Sequence, residues 1–253
     1  MLLIFDIENS VTNRIVGDKT KLDLSPYNEK NKLLSIAWQT GNYNEKFTWQ
    51  EPKYVDLRDE PDRLFEFIED YNKAIMVIGQ NIKHDLEWLF ETEIIKYYPH
   101  RLWDTILAEY VLSRGIKRAL DLSSIASRYR IEVSKLEIDY DKIHLIDHQE
   151  LKDYALRDIY ITKEVFEAQY WEYLKEKNNG LLSQFNMNCK FLPVITDMKR
   201  NGIKIDMVEL LRLEDEYRRE YKELEVWMQD IIHEYMGDTP VNLNSRDDMS
   251  ALI

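Results

Sequence analysis

Residues 1–8 read MLLIFDIE, and the fold is decided by this stretch. An apolar run from Leu2 to Phe5 passes directly into Asp6, Ile7 and Glu8, the composition of a buried strand ending in acids. Side chains alternate along a strand, so Asp6 and Glu8 share one side and Ile7 takes the other. Ionised groups in an apolar setting are costly unless compensated, and closely spaced hard oxygen donors are most readily compensated by Mg²⁺ or Mn²⁺. Asp6 and Glu8 are therefore candidate metal ligands. By themselves they read more simply as a solvated strand end; their weight comes from the rest of the chain.

Working outward, Asn9 to Asn31 is polar and broken by Pro26 and other turn formers, and reads as a loop. Leu33–Gln39 and Glu45–Gln50 read as strands of a hairpin joined through Gly41 and Asn42. Helical spacing follows over Asp59–Asn72, then a strand at Ile75–Ile78, a helix from about His84, and a short strand over Arg101–Trp103. Helices are expected over Thr105–Leu112, with Asp104 as N-cap, over Leu120–Tyr129, and from Asp147 to about Lys177. Strands first and helices later, around one mixed sheet, indicate an α/β domain. Beyond Gly180 the pattern is helical only: Phe185–Arg200, then a long helix from Asp206 to Met236 closed by Gly237. Within it Tyr217, Tyr221, Leu224, Met228, Ile231 and Tyr235 form an apolar seam, which either folds back on the preceding helix or meets a partner.

The chain has 253 residues, 44% of them hydrophobic, enough for a substantial core. No run approaches the roughly eighteen apolar residues of a membrane span, and MLLIF is too short for a signal peptide, so a cytoplasmic setting is expected. The lone Cys189 excludes an internal disulfide and fits a reducing compartment. A formal net charge of −13 argues against strong autonomous binding to nucleic acid, whose affinity depends on basic groups that displace counterions. Nucleic acid remains open as a substrate, because metal ions can neutralise an acidic pocket.

Two more polar groupings sit where helices should be. In GQNIKHDLEWL, Asn81 and Asp85 lie four apart across a helix entry and can face one point. In ELKDYALRDIY, Tyr154 and Asp158 lie four apart inside a helix, so a phenol and a carboxylate share one face. Each pair alone is ordinary helix surface. Together with Asp6 and Glu8 they make a constellation of four carboxylates and a tyrosine.

In order and separation, DIE (6–8), NIKHD (81–85) and YALRD (154–158) resemble the three motifs of the DEDD 3′→5′ exonucleases. Asp104-Thr105 followed by ILAEYVL, and LDLSSIASRY from Leu120, resemble further segments of the proofreading domains of family A DNA polymerases. PVITDMKRNGIKID and VNLNSRDDMSALI resemble the linker and early thumb of those polymerases, and the opening looks most like phage-type members. The histidine subfamily places its histidine five residues before the last aspartate, where this chain has Asp153, so the tyrosine variant is expected.

The resemblance implies an RNase H-like (DnaQ-like) fold with a mixed five-stranded sheet over 1–178 and an all-helical extension over 179–253. It implies phosphodiester hydrolysis with two Mg²⁺ ions, Mn²⁺ being an alternative, and release of nucleoside monophosphates from a DNA 3′ end. Asp6 would bridge both ions, Glu8 and Asp158 would complete one site, Asp85 would hold the second ion, and Tyr154 would orient the attacking water. Asn81 and Arg157 are candidate substrate contacts. Val11 and Thr12 are the candidates for an apolar wedge near the terminal base.

No palm or fingers motif follows, so the chain is not expected to synthesise DNA alone. A truncated polymerase or one half of a split polymerase is expected, with the other half in cis or in trans, in a bacterial host cytoplasm if the source is a phage. Two other readings compete: a docking or assembly subunit with a vestigial nuclease site, and a free-standing RNA or oligonucleotide exonuclease of the same fold.

Overall fold

The computed structural model describes residues 1–16, 19–133, 138–238 and 241–252; Ile253, the last residue of VNLNSRDDMSALI, lies outside them. Among the described residues, the strands are β1 (Leu2–Asn9), β2 (Thr12–Val16), β3 (Lys19–Asp23), β4 (Leu33–Asn44), β5 (Lys46–Trp49), β6 (Lys53–Asp56), β7 (Met76–Gly79) and β8 (Arg101–Asp104). The helices are α1 (Leu64–Lys73), α2 (Ile82–Glu91), α3 (Thr105–Leu112), α4 (Leu122–Arg128), α5 (His148–Tyr173), α6 (Leu181–Asn201), α7 (Met207–Met236) and α8 (Arg246–Leu252). They fall into two compact units, Met1–Asn201 and Gly202–Ile253.

β1 is the middle strand of the main sheet in the first unit, whose order is β5-β4-β1-β7-β8. It pairs antiparallel with β4 and parallel with β7, and β7 pairs parallel with β8, so the sheet is mixed as expected. Leu3, Ile4 and Phe5 are fully buried, which is why the run that opens the chain is apolar on both faces. β6 adds a sixth segment that the sequence reading did not include; it pairs with β4 at Ser35–Trp38, on the same edge that β5 occupies further along. Four residues behind Pro52 carry too short a pattern to read as a strand.

Two further expectations are corrected. The stretch read as a loop contains the β2–β3 hairpin, an exposed two-stranded sheet with too little apolar alternation to signal itself. The β4–β5 turn lies at Glu45 (φ 64°), not at Gly41 and Asn42, which remain inside β4. Gly41 is needed there because the Trp49 ring lies over it: a Cβ at Gly41 would sit 2.3 Å from Trp49 Cε3. That ring is held by a 2.6 Å bond from its Nε1 to Glu167 on α5.

α5 covers one face of the sheet, burying Ala155, Ile159 and Phe166 in the core that contains β1. Asp147 caps it through Gln149 N, 2.9 Å away. α6, assigned by the expected division to the helical extension, packs within the first unit. Phe185, Cys189 and Leu192 join the main core, and the Phe185 and Trp103 rings are 4.6 Å apart. Fully burying a side chain such as Phe185 contributes roughly 1.5–3 kcal/mol. In the second unit, Asp206 caps α7 through the N–H groups of Val208 and Glu209, and Gly237 (φ 64°) ends it. Tyr217, Tyr221, Leu224 and Tyr235 of its apolar seam are exposed.

Gly41→Ala should lower the unfolding free energy by about 1–3 kcal/mol, because the anchored Trp49 ring must yield to the new methyl group. Urea unfolding measures this, and an unchanged midpoint would mean that the ring moves freely.

Candidate active site

The carboxyl ends of parallel strands are where an α/β sheet exposes side chains to a ligand, and β1 and β7 end side by side here. β1 carries Asp6 and Glu8 to that edge. After β7 the chain turns through Asn81, in the left-handed region (φ 55°), and α2 brings Asp85 back. α5 presents Tyr154 and Asp158 from the side, four residues apart on one face.

Carboxylate oxygens of Asp6, Glu8 and Asp158 lie within 4.8 Å of one another. Asp85 joins these three in lining a cavity of about 160 Å³, together with Asn81 and Tyr154. Glu8 and Asp85 are almost fully buried, and among the described residues no Lys or Arg lines this cavity. Burial pushes the carboxyl of Asp6 well above the usual range, and the charge of Asp158 adds to it. Burial likewise raises Glu8, aided by Asp6, Asp158 and Asp85, and it raises Asp85, aided by Asp6 and Asp104. Asp158 is also raised by burial, opposed by the Tyr154 hydroxyl and by Arg157.

Among the described residues, Asp85 Oδ2 is buried without a hydrogen-bond partner. An orphaned carboxylate oxygen on a residue that lines the same cavity as three more acids, with no Lys or Arg lining it among the described residues, fits a hard divalent cation with oxygen ligands. Asp6, Glu8, Asp85 and Asp158 are the residues able to hold it.

Asp104, expected as a helix cap, does more than cap. Its Oδ1 accepts from Leu107 N at the start of α3 (3.0 Å), and its Oδ2 accepts from Ile82 N at the start of α2 (2.8 Å). It thereby fixes the helix that carries Asp85, and burial raises its pKa to about 6.

A larger cleft of about 500 Å³ adjoins the acids, and Asp6, Tyr154, Arg157 and Asp158 line it with Asp121 and Tyr140. Arg157 is thus beside the acidic cluster. Val11 and Thr12 line neither cavity: Val11 is buried, and Thr12 Oγ1 accepts from Asn28 Nδ2 at 2.8 Å. The exposed apolar residue at the smaller cavity is Leu24, past the β2–β3 hairpin. Sequence reasoning missed it because the hairpin that returns it to β1 was not recognised. It read Tyr140 as a packing residue in preference to a base-stacking one and did not join it to Tyr154, although the two hydroxyls meet at 2.7 Å.

The family profile described as 3′-5′ exonuclease matches residues 21–168, more than half of the chain. The chain belongs to the 3′→5′ exonuclease family. The match contains Asp85, Tyr154 and Asp158 but begins after Asp6 and Glu8, which join them through the geometry of the exonuclease fold. Brucella melitensis NrnC shares that fold at 17% identity and a TM-score of 0.55, over 81% of this chain and 89% of NrnC. NrnC has also been solved with bound Mg²⁺ (16% identity, TM-score 0.54, 79% and 86% coverage). The POL domain of Pol1 from M. smegmatis, in complex with DNA primer-template and dNTP, matches at 16% identity and a TM-score of 0.60. That match covers 98% of this exonuclease chain and 36% of the Pol1 chain.

A carboxyl whose folded pKa exceeds its unfolded value binds protons more tightly in the folded chain. Its contribution to stability is greatest below the unfolded pKa and falls as pH rises through the folded one. Asp104 places one such window between 3.8 and about 6, and Asp6, Glu8, Asp85 and Asp158 shift in the same direction. The metal-free chain should therefore lose Tm as pH rises from about 4 towards 7. Mg²⁺ should raise Tm more at pH 7.5 than at pH 5, where protons compete for the ligands. Asp85→Asn should flatten both dependences in scanning calorimetry; equal Mg²⁺ responses at the two pH values would contradict the cation assignment.

Proposed function

We propose that the chain is a metal-dependent 3′→5′ DNA exonuclease that trims a single-stranded or frayed primer terminus in the setting of a family A DNA polymerase. The observation that carries this reading is the convergence of four carboxylates, one with an orphaned buried oxygen, at the mouth of a cleft large enough for a nucleotide. The likeness to Pol1 along nearly the whole chain supports the polymerase setting, with the polymerase half in cis or in trans.

Asp6, Glu8 and Asp158, whose carboxylate oxygens lie close together, would hold one divalent cation, and Asp85 with Asp6 would hold a second. Two divalent ions held there supply Lewis-acid stabilisation of the charge that builds on the phosphodiester during in-line displacement. Tyr154 stays protonated, because burial and the charges of Asp158 and Glu8 push its phenol far up. Its hydroxyl orients the water that attacks phosphorus, while the O3′ of the preceding nucleotide leaves and a nucleoside monophosphate is released. Arg157, beside the acids in the larger cleft, faces the phosphate, and Asn81 supports the rim near Asp85.

One observation favours a second reading, an oligonucleotide exonuclease: the fold match runs over 89% of NrnC, which has also been solved bound to pGG.

On 5′-labelled single-stranded DNA with Mg²⁺, the full chain should give a ladder shortening from the 3′ end, abolished by EDTA. Asp6→Ala and Asp158→Ala should each slow it by on the order of 10³-fold or more, since each removes a charge on which transition-state stabilisation depends. Unchanged rates in both variants would remove the site assignment. Efficient cleavage of a dinucleotide but not of a 20-mer would favour the second reading.

A further inference from the structure

Tyr140 opens a 3-10 turn, Tyr140–Leu145, that the exonuclease motifs do not include. The turn is fixed from three sides. Ile143 is fully buried with Leu34 of β4 and Leu151 of α5, and Arg58, paired with the buried Asp56 of β6, reaches Ile146 O at 2.8 Å. Asp139 caps the turn through Asp141 N. The Tyr140 side chain is therefore set on a braced support, and it lines both the acidic cavity and the larger cleft.

Its hydroxyl lies 2.7 Å from that of Tyr154. Each phenol has one proton to donate. The Tyr154 hydroxyl lines the acidic cavity together with the Asp158 carboxylate. Whichever phenol donates, the bond ties the Tyr154 hydroxyl to the braced turn.

We propose that Tyr140 is a positioning residue: its hydroxyl, bonded to Tyr154 Oη, holds the Tyr154 hydroxyl at the acidic cavity, where the attacking water would sit. This rests on the exonuclease reading. It differs from a role in packing or base stacking, which would use the ring and not the hydroxyl.

Tyr140→Phe keeps the ring and removes only the hydroxyl. In the full chain with Mg²⁺ it should lower kcat about tenfold, the worth of one well-placed hydrogen bond, and leave KM within about twofold. In a Tyr154→Phe background it should cost nothing further, because the hydroxyl it positions is gone. Wild-type kcat in Tyr140→Phe, a loss seen in KM alone, or a loss that multiplies with that of Tyr154→Phe would each overturn the proposal. A second readout needs no catalysis: with [ζ-¹³C]tyrosine, the metal-free Tyr154 resonance should shift in Tyr140→Phe, and an unmoved resonance would also overturn it. A shifted Tyr154 resonance in Tyr140→Phe, together with a wild-type chain that cleaves no DNA or dinucleotide with Mg²⁺ or Mn²⁺, would overturn the exonuclease reading, and with it the catalytic role of the pair.

Discussion

Like charges held close together out of water set the terms for the first unit. Asp6, Glu8, Asp85 and Asp158 repel one another, and burial removes the solvent that would screen them. A chain optimised only for stability would place apolar groups there. The fold instead spends its rigid parts on keeping them together: the middle strand of the sheet, the helix entered from β7, and the longest helix of the first unit. Such a cluster is sustained where a cation completes it, which is why the orphaned Asp85 oxygen carries more weight than the count of acids.

The supporting residues follow the same logic. Asp104 ties the starts of α2 and α3 together and so places Asp85. Asp56 and Arg58 tie β6 to the entry of α5, and their pairing holds the Asp56 carboxyl below its usual range. Asp56 also forms a second oxygen and nitrogen cluster with Asp59 and His148. There the Arg58 guanidinium already satisfies the buried carboxylate, so the cluster works as a latch. The two clusters differ in their positive partners: Arg58 is bonded to Asp56, whereas among the described residues no Lys or Arg lines the cavity that Asp85 shares with Asp6, Glu8 and Asp158.

Much of this was readable in the sequence where local period alone decides position. Strand alternation put Asp6 and Glu8 on one side, and helical spacing put Tyr154 and Asp158 on one face. What could not be read depends on segments distant in sequence. The β2–β3 hairpin and β6 are short and weakly patterned, so Leu24 could not be placed at the cavity that Asp6 lines. Tyr140 looked like any surface tyrosine, because its neighbour Tyr154 stands on another element and the 3-10 turn between them has no sequence period. α6 shows a continuous helical pattern that gives no sign of which unit its Phe185 joins.

The central claim is that the four carboxylates are the chain's divalent-cation site. Crystals of the full chain soaked in Mn²⁺ and measured for anomalous scattering test it most directly. An anomalous peak among Asp6, Glu8 and Asp158, with Asp85 Oδ2 turned to the same or an adjacent ion, is the predicted result. No peak there at millimolar Mn²⁺, or a peak only at Asp56, Asp59 and His148, would contradict it.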